Sequence, residues 1–309
     1  MTEMIDIMRE AFSAYSSGDA DAPQRISLSI PENNGVVLFK PARVWSRALG
    51  AKLVSVFPGN RDAGKPTTTG LVILLDAETG EPSAICDGTF LTAWRTGATC
   101  GLATHLLARA DAEAAAVIGA GSQARTQILA MDAVRELKTI HIWAPTSKHV
   151  DEIIDELQPK TRARLRASGG APTAVANADI ICTATTSLKP VIKSEWIKPG
   201  AHVNAVGSFR PEMQEVSPDL ATVAKIFVDT RSGCALEAGE LIVAIEEGRT
   251  TPDKWTEIGE VVNGTADGRR EDGDITLFKS VGVAIQDVAA AAAALAHANE
   301  MGLGSTIEF

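Results

Sequence analysis

A short glycine-rich turn is the first feature of the sequence whose residue types and spacing indicate a chemistry. The run Ala114–Gly119 reads as a buried strand, and it runs into Gly-Ala-Gly-Ser-Gln-Ala over residues 119–124. In such a turn, Gly119 permits the bend, Gly121 lets backbone N–H groups approach a pyrophosphate, and Ala124 lets the following helix pack on the strand, while the helix N-terminus favours phosphate charge. The alternative is a glycine turn in an unrelated α/β protein. We expect a dinucleotide cofactor at Gly119, Gly121, Ser122 and Gln123.

The end of the next predicted strand, Thr139–Trp143, bears on the choice of dinucleotide. NAD sites usually have an Asp or Glu there, which accepts hydrogen bonds from the ribose hydroxyls. This chain instead reads Ala-Pro-Thr-Ser-Lys over residues 144–148, which offers two hydroxyls and an ammonium group to a 2′-phosphate and no carboxylate. The sequence therefore favours NADP(H), with NAD(H) as the alternative and with Ala144 and Thr146 as contacts. The alternative is that Thr146 and Ser147 only cap the next helix and do not contact the cofactor.

The elements that must position this turn fall into two regions of different character. Beyond residue 110, short apolar strands alternate with helices, which is typical of βαβ units and a parallel sheet. Before it, strands and one hairpin predict an α+β region with mixed or antiparallel pairing. The predicted helices are 4–15, 91–109, a stretch that follows the turn at 119–124 and ends near residue 137, 149–158 and the alanine-rich 281–299. The predicted strands are 25–30, 35–40, 51–57, 70–76, 82–87, 114–119, 139–143, 178–184, 201–206 and 225–229.

Length and composition exclude several classes of protein. The chain has 309 residues, enough for roughly two domains, and its 29 Lys+Arg against 39 Asp+Glu give a net charge of −10, which argues against a duplex-DNA binder. No apolar run is long enough to span a bilayer, and the first ten residues do not resemble a secretory signal, so no membrane is expected. The four cysteines lie far apart and the five histidines show no ligand spacing. We expect reduced thiols, a cytoplasmic location and no metal.

Several segments, taken in order, resemble the ornithine cyclodeaminase/mu-crystallin family. Each motif is modest by itself, but their common order over most of the chain makes the resemblance specific. The segments are Ala-Lys-Leu-Val at 51–54, Leu-Thr-Ala-Trp-Arg-Thr-Gly-Ala at 91–98, Val-Ile-Gly-Ala-Gly-Ser-Gln-Ala at 117–124, Pro-Gly-Ala-His-Val-Asn-Ala-Val-Gly at 199–207 and Phe-Lys-Ser-Val-Gly at 278–282.

The resemblance implies a two-domain α/β architecture. A Rossmann NAD(P)-binding domain, residues 110–275, would be inserted in an α+β substrate-binding and dimerisation domain, residues 1–109 plus 276–309. The final helix would then fold back onto the first domain. Members of the family act on a carbon that bears both a nitrogen and a carboxylate, so the resemblance also implies a small amino or imino acid substrate and a homodimer.

The resemblance also assigns substrate-binding and catalytic residues. Arg25 and Arg95 match positions where the family holds the substrate carboxylate, and the fork of a guanidinium suits that group. Lys52 matches the active-site lysine, which can donate a proton to an imine if burial lowers its pKa. Lys40, at the end of the preceding predicted strand, is its rival. The alternatives without a role in the reaction are an ion pair beside the helix for Arg95, a surface charge on the strand for Arg25 and an edge-strand lysine for Lys52.

Further positions match residues that line the cofactor in the family. Each of them, taken alone, fits ordinary loop chemistry equally well. They are Thr67, Thr96, Thr183, Thr185, Val206, Ser208 and Phe278.

One departure from the family pattern bears on the reaction. Cyclodeaminases carry an aspartate shortly after the Asn-Ala-Val-Gly segment, where it handles the amine and activates water. This chain has Phe209 in that place, which cannot accept a proton, and Glu212 comes three residues later. The missing acid after Trp143 also disfavours the NAD that a cyclodeaminase retains through its cycle.

The resemblance, together with these two departures from it, implies an NAD(P)H-dependent cyclic ketimine reductase. The first expected reaction is Δ1-pyrroline-2-carboxylate to L-proline, with Δ1-piperideine-2-carboxylate to L-pipecolate beside it. Arg25 and Arg95 would hold the carboxylate, Lys52 would supply the imine proton, and the orientation of the two reactants would be the main catalytic gain. The alternatives are an ornithine cyclodeaminase, an alanine-type dehydrogenase and a non-catalytic, crystallin-like protein that binds NADPH.

Overall fold

The computed structural model describes residues 1–45 and 48–307 of the chain. The strands are β1 (Ala20–Asp21), β2 (Ile26–Ile30), β3 (Gly35–Val44), β4 (Ala48–Val56), β5 (Thr68–Leu75), β6 (Pro82–Asp87), β7 (Ala114–Ile118), β8 (Thr139–Trp143), β9 (Arg164–Ala167), β10 (Ile180–Thr183), β11 (His202–Ala205), β12 (Ala224–Val228), β13 (Thr256–Glu257) and β14 (Ile275–Lys279). The α-helices are α1 (Thr2–Ser17), α2 (Gly88–Leu107), α3 (Ser122–Val134), α4 (Ser147–Leu157), α5 (Ala171–Val175), α6 (Leu220–Val223), α7 (Arg231–Glu237), α8 (Gly239–Glu246), α9 (Ile258–Val262) and α10 (Ala284–Met301). Within these residues, no helix combines the length and apolar character that crossing a lipid bilayer requires.

A parallel sheet forms the core of the larger of two compact units, which comprises Met1–Arg9 and Thr96–Gly282. In the described part of the chain, its strand order is β13-β12-β14-β11-β10-β7-β8-β9. Alternate residues of β7 enter different apolar clusters: Val117 packs with α3 and α4, whereas Ile118 packs with α5. Because both faces of the sheet are covered, its strands read as nearly continuous apolar runs.

The strand order reverses at β7, where the glycine turn begins. β8 and β9 follow on one side of β7, and β10 and β11 follow on the other. In doubly wound sheets, ligands bind outside the carboxyl ends of the strands at such a reversal. The edge beyond β7, β8, β10 and β11 is called the carboxyl edge below.

The smaller unit, Glu10–Arg95 with Val283–Phe309, is an antiparallel sheet covered by a helix. Its described strands run in the order β1-β3-β4-β5-β6, and β2 also pairs with β3. Helix α10 packs on β3, β4 and β5 and ends where Gly302 adopts a left-handed conformation, with φ +64. Its buried residues include Ala289, Ala290 and Ala291, whose small side chains permit close packing on the sheet.

The alternation of β3 gives the two faces of this sheet different roles. Leu38, Lys40 and Ala42 are buried on the face that α10 covers, whereas Phe39 between them is 41% exposed on the other. The register of β3 and β4 places Lys52 directly opposite Lys40, so both lysines lie on the covered face. The fold thus buries two neighbouring basic groups under α10.

The structure confirms the predicted α/β class, with a parallel sheet after residue 110 and antiparallel pairing before it. Strand β14 is not among the predicted strands, and it lies between β11 and β12 in the parallel sheet. Arg25, predicted at the start of a strand, immediately precedes β2. The domain bounds 1–109 plus 276–309 and 110–275 stay a prediction.

Candidate active site

Two lysines lie side by side under helix α10. Lys40 and Lys52 are cross-strand partners and are only 3% and 2% exposed. An ammonium group removed from water is strongly disfavoured unless an opposite charge compensates it. Their burial therefore requires a nearby acid.

Asp287 of α10 supplies that acid. Its Oδ1 lies 2.6 Å from Nζ of Lys52 and 2.9 Å from Nε of Arg95, and its Oδ2 lies 3.1 Å from Nζ of Lys40. The carboxylate itself is fully buried. One side chain thus connects β3, β4 and α2 to α10 through charge.

Further hydrogen bonds orient the basic side chains. Nη1 of Arg95 donates to Oε1 of Gln286 at 2.6 Å, and Nζ of Lys52 donates to Oγ1 of Thr92 at 3.1 Å. The Thr92 hydroxyl in turn donates to the carbonyl oxygen of Gly88 at 2.5 Å. Lys52 is therefore held between a carboxylate and a hydroxyl, so its Nζ has a defined direction.

Burial and the neighbouring charges together shift the pKa values of these groups. Burial lowers the pKa of Lys52 well below its usual value; Asp287 opposes this shift, and Lys40 and Arg95 reinforce it. Burial also lowers the pKa of Lys40 to about 8. Burial raises the pKa of Asp287, but Arg95, Lys40 and Lys52 outweigh it and hold that pKa far below its usual range. An ammonium with a lowered pKa is a better proton donor near neutral pH.

Arg25 lies near Lys40 by the register of the sheet, because Ile26, the residue after it, pairs with Phe39. It is half-buried just before β2, and after burial and Arg95 its charge also lowers the pKa of Lys40. Arg25, Lys40, Lys52, Arg95 and Asp287 are called the basic cluster below. Because basic groups outnumber the acid in it, the cluster suits a small anion such as a carboxylate.

The larger unit carries the glycine turn in the conformation that the sequence predicts. Gly119 has φ +123, and a Cβ at this position would lie 2.4 Å from the carbonyl oxygen of Ala184. Helix α3 begins at Ser122 without a side-chain cap, and a Cβ on Gly121 would meet nothing within 4 Å. The helix N-terminus is therefore open, with room for a phosphate beside it.

Most of the predicted cofactor contacts lie at the carboxyl edge. Thr183 is the last residue of β10, and its buried Oγ1 has no hydrogen-bond partner among the described residues. A buried hydroxyl without a partner is rare and is consistent with a ligand that completes it. The predicted contacts that the structure brings to this edge are Gly119, Gly121, Ser122, Gln123, Ala144, Thr146, Thr183, Thr185, Val206 and Ser208.

Three other predicted cofactor contacts have different surroundings. Phe278 is fully buried within β14, where it pairs with Asn204 of β11 and Phe227 of β12. Thr67 directly precedes β5 in the smaller unit, and Thr96 is buried on α2. Their role as cofactor contacts stays a prediction.

Asp287 and Gln286 are not among the residues predicted for the site, although the sequence contains a signal for them. They are the only polar side chains in the run from Val281 to Ala296, which otherwise holds apolar residues and one glycine. A carboxylate on an apolar helix face is costly unless it is paired, so such a residue indicates a buried partner. The sequence does not say which partner, because the lysines lie on distant strands.

The chain is similar over nearly its whole length to one family of proteins and to solved structures of dehydrogenases and reductases. The sequence profile of the ornithine cyclodeaminase/mu-crystallin family matches residues 1–301. A Δ1-pyrroline-2-carboxylate reductase of Bacillus cereus is 37% identical over 312 residues, which cover 100% of this chain and 96% of that protein. The structure of Thermococcus litoralis Δ1-pyrroline-2-carboxylate reductase in complex with NADH and L-proline matches with a TM-score of 0.97 at 36% identity, over 99% of this chain and 96% of that one. An archaeal alanine dehydrogenase dimer with bound NAD matches with a TM-score of 0.93 at 34% identity, over 100% and 95%.

Asp287→Asn is expected to destabilise the protein because it leaves buried cations without their counter-charge. Breaking a buried ion pair by removing one partner costs about 3–5 kcal/mol. Urea unfolding, followed by tryptophan fluorescence, measures the change in the free energy of unfolding.

The double variant Asp287→Asn, Lys40→Met is the matched control. It should lose less stability than the sum of the two single losses, because it also removes a cation that Asp287 had compensated. Strict additivity of the two changes would show that Asp287 does not stabilise Lys40.

Proposed function

The chain belongs to the ornithine cyclodeaminase/mu-crystallin family, and we propose that it reduces a cyclic α-imino acid with a hydride from NAD(P)H. It is an oxidoreductase that acts on C=N bonds. The substrate proposed first is Δ1-pyrroline-2-carboxylate, reduced to L-proline, with Δ1-piperideine-2-carboxylate, reduced to L-pipecolate, beside it. The relative from Bacillus cereus is named Δ1-pyrroline-2-carboxylate reductase, and the related Thermococcus litoralis structure contains L-proline, the product of that reaction.

The observation that carries the proposal is the buried basic cluster. A cyclic α-imino acid presents a carboxylate next to a C=N bond, so its site needs a fixed cation for the first and a proton donor for the second. Arg95 is buried and held by Gln286 and Asp287. Arg25 lies near Lys40 by the register of β2 and β3, and its charge lowers the pKa of that lysine. We assign the carboxylate to Arg25 and Arg95, because a guanidinium can hold both of its oxygens.

Lys52 is the proposed proton donor. Reduction adds a hydride to the carbon that bears the carboxylate and a proton to the imine nitrogen, so that C=N becomes CH–NH. Burial lowers the pKa of Lys52 well below its usual value, and the hydrogen bonds to Asp287 and Thr92 direct its Nζ. An acid with a pKa closer to the working pH releases its proton more readily in the transition state.

The residues of the carboxyl edge fit a dinucleotide. The N-terminus of α3 has no side-chain cap, the space beside Gly121 is open, and the hydroxyl of Thr183 is buried without a partner among the described residues. Backbone N–H groups of the turn at 119–124 would hold the pyrophosphate. The bound coenzyme supplies the hydride.

NADP(H) is the proposed preferred coenzyme. Thr146 is the residue before α4 but makes no side-chain capping hydrogen bond, and Ser147 and Lys148 are exposed next to it. The segment 143–148 contains no carboxylate that would repel a 2′-phosphate. These groups support a 2′-phosphate site, although the related reductase structure holds NADH.

Alanine dehydrogenation is the second candidate, because an alanine dehydrogenase of Archaeoglobus fulgidus is 36% identical over 310 residues. It would use the same cluster for an imine formed from pyruvate and ammonia. Ornithine cyclodeamination is disfavoured by Phe209, whose half-buried ring lies 5.7 Å from the Arg210 guanidinium and offers no proton acceptor.

The four cysteines support a cytoplasmic location. All four are thiols and form no disulfide among the described residues, and Cys100, Cys182 and Cys234 are buried. Reduced thiols persist in the cytosol, whereas oxidising compartments favour disulfides. We therefore propose the cytoplasm as the place of the reaction.

We expect the protein to oxidise NAD(P)H when Δ1-pyrroline-2-carboxylate is added, as followed by NAD(P)H absorbance. Lys52→Met should lower kcat by about 100-fold because it removes the proton donor. Arg25→Met should mainly raise KM for the imino acid, because it removes a contact to the carboxylate. Lys40→Met is the matched variant on the neighbouring strand.

The outcomes of this assay distinguish the proposed proton donor and reaction from their alternatives. If Lys40→Met loses kcat and Lys52→Met keeps it, the proton donor is the rival lysine. Turnover of pyruvate with ammonia but of neither cyclic imine would favour the alanine dehydrogenase. Proline formed from ornithine without added reductant would establish the cyclodeaminase, and coenzyme binding without any turnover would indicate a binding protein.

The coenzyme preference is tested by kcat/KM with NADPH and NADH. The wild type should favour NADPH, and Lys148→Met should raise KM for NADPH about tenfold and leave KM for NADH unchanged, because a charge-assisted contact is lost. Lys160→Met, a change of an exposed lysine beyond α4, is the control. A wild type that favours NADH would contradict the preference.

A homodimer is the proposed assembly. The face of the antiparallel sheet opposite α10 exposes large apolar side chains, and Phe39, Leu53 and Leu71 are aligned on neighbouring strands. A contiguous apolar patch of this kind marks an interaction surface. A second copy of this chain is the proposed occupant, because the related archaeal alanine dehydrogenase is a dimer.

Light scattering after size-exclusion chromatography tests this assembly. The wild type should have the mass of a dimer, and Leu53→Lys should have that of a monomer, because a charge in the middle of the patch opposes its burial. Val223→Lys changes an equally apolar side chain, 58% exposed, in the larger unit and should leave the mass unchanged. A Leu53→Lys variant that stays dimeric would place the interface elsewhere.

A further inference from the structure

A fully buried carboxylate connects two loops of the carboxyl edge. Oε1 of Glu215 accepts a hydrogen bond from the backbone N–H of Thr185 at 2.6 Å, in the loop that follows β10. Its Oε2 accepts from the N–H groups of Gly207 at 2.5 Å and Ser208 at 3.2 Å, in the loop that follows β11. One side chain therefore sets the separation of these loops.

The surroundings leave these loops little freedom. A Cβ on Gly207 would lie 2.1 Å from the carbonyl oxygen of Thr185 and 2.5 Å from Oε1 of Glu215. The carbonyl oxygen of Glu215 also accepts from the N–H groups of Val191 and Ile192. The loops thus pack in direct contact around the carboxylate, and a shift of that group must move their backbone.

A second set of buried charges lies against the loop that follows β11. Nζ of Lys279, at the end of β14, lies 3.0 Å from Oε1 of Glu240 and donates to the carbonyl oxygen of Ser208 at 2.7 Å. The Ser208 hydroxyl lies within hydrogen-bond distance of both Lys279 and Glu240. Burial raises the pKa of Glu215, but the charge of Lys279 acts against that rise. Lys279 thus favours the ionised carboxylate that accepts all three N–H groups.

The position of the two loops decides which part of a dinucleotide they would meet. In this fold, the glycine turn after the first strand takes the pyrophosphate, and the end of the second strand takes the adenosine ribose. These strands are β7 and β8 here, whereas β10 and β11 lie on the other side of β7. The loops that Glu215 connects are therefore on the side of the nicotinamide half.

We infer that Glu215 is a positioning residue, whose buried carboxylate holds the loops after β10 and β11 in the arrangement that binds the nicotinamide half of the coenzyme. The inference rests on the proposed function, because it assumes that the carboxyl edge binds a dinucleotide. It assigns Glu215 no contact with the coenzyme or the substrate.

The experiment compares two ligands by calorimetry: the reduced coenzyme that the wild type prefers, and its adenosine diphosphate half, with the 2′-phosphate if NADPH is preferred. Glu215→Gln keeps the shape of the side chain but replaces one acceptor oxygen with an NH2 group that faces an N–H donor. The coenzyme should bind about tenfold more weakly, because a buried donor is left without its acceptor. The adenosine diphosphate half should bind as in the wild type, within about twofold.

Asp132→Asn is the matched control. Asp132 is also buried and also accepts from two backbone N–H groups, those of Arg162 and Ala163, at 3.0 and 2.9 Å. These residues directly precede β9, at the opposite edge of the same sheet. A general loss of stability would affect both variants. Only Glu215→Gln should weaken the binding of the coenzyme while leaving the binding of the adenosine diphosphate half unchanged.

The outcomes distinguish the inference from the proposed function. If the wild type binds no coenzyme, the proposed function is wrong. If the wild type binds it, and Glu215→Gln weakens neither ligand or weakens both equally, the positioning role is wrong. Should Glu215→Gln not fold, Glu215→Asp carries the test, because it keeps both acceptor oxygens one methylene further back and should show a smaller loss in the same direction.

Discussion

The smaller unit depends on one interaction, the contact of the Asp287 carboxylate with three buried cations. Lys40, Lys52 and Arg95 come from separate elements, and each of them would be strongly disfavoured under α10 without a negative charge. The carboxylate therefore links α10 to β3 and β4 and also shapes the electrostatics of the site. Stability and proposed chemistry share this group, because burial lowers the pKa of Lys52 and the charge that permits this burial opposes that fall.

The antiparallel sheet shows how a period of two divides functions between faces. Lys40 and Lys52 point toward α10, while their neighbours Phe39 and Leu53 are aligned on the other face. A shift of the register by one residue would exchange the charged and apolar sets. The same strands can therefore serve a buried polar site on one side and an interaction surface on the other.

At the carboxyl edge of the larger unit, the loops contact each other through their backbones. Gly119 and Gly207 each lie where a Cβ would collide with a carbonyl oxygen of a neighbouring loop, at Ala184 and Thr185 respectively. The loops of this edge therefore come into close contact because the glycines leave room, and Glu215 satisfies the N–H groups that this approach leaves without strand partners. Such a surface suits a ligand whose phosphates and amide bind main-chain groups.

The sequence by itself determined the glycine turn between β7 and α3, the alternation of strands and helices, and the resemblance that singled out Lys52, Arg25 and Arg95. These features are local, so each is visible in a short window of residues. Only the tertiary structure paired Lys52 with Asp287, which lies 235 residues away, and inserted β14 between β11 and β12. Charge compensation and strand order depend on packing between distant segments, and no local pattern records which segments will meet.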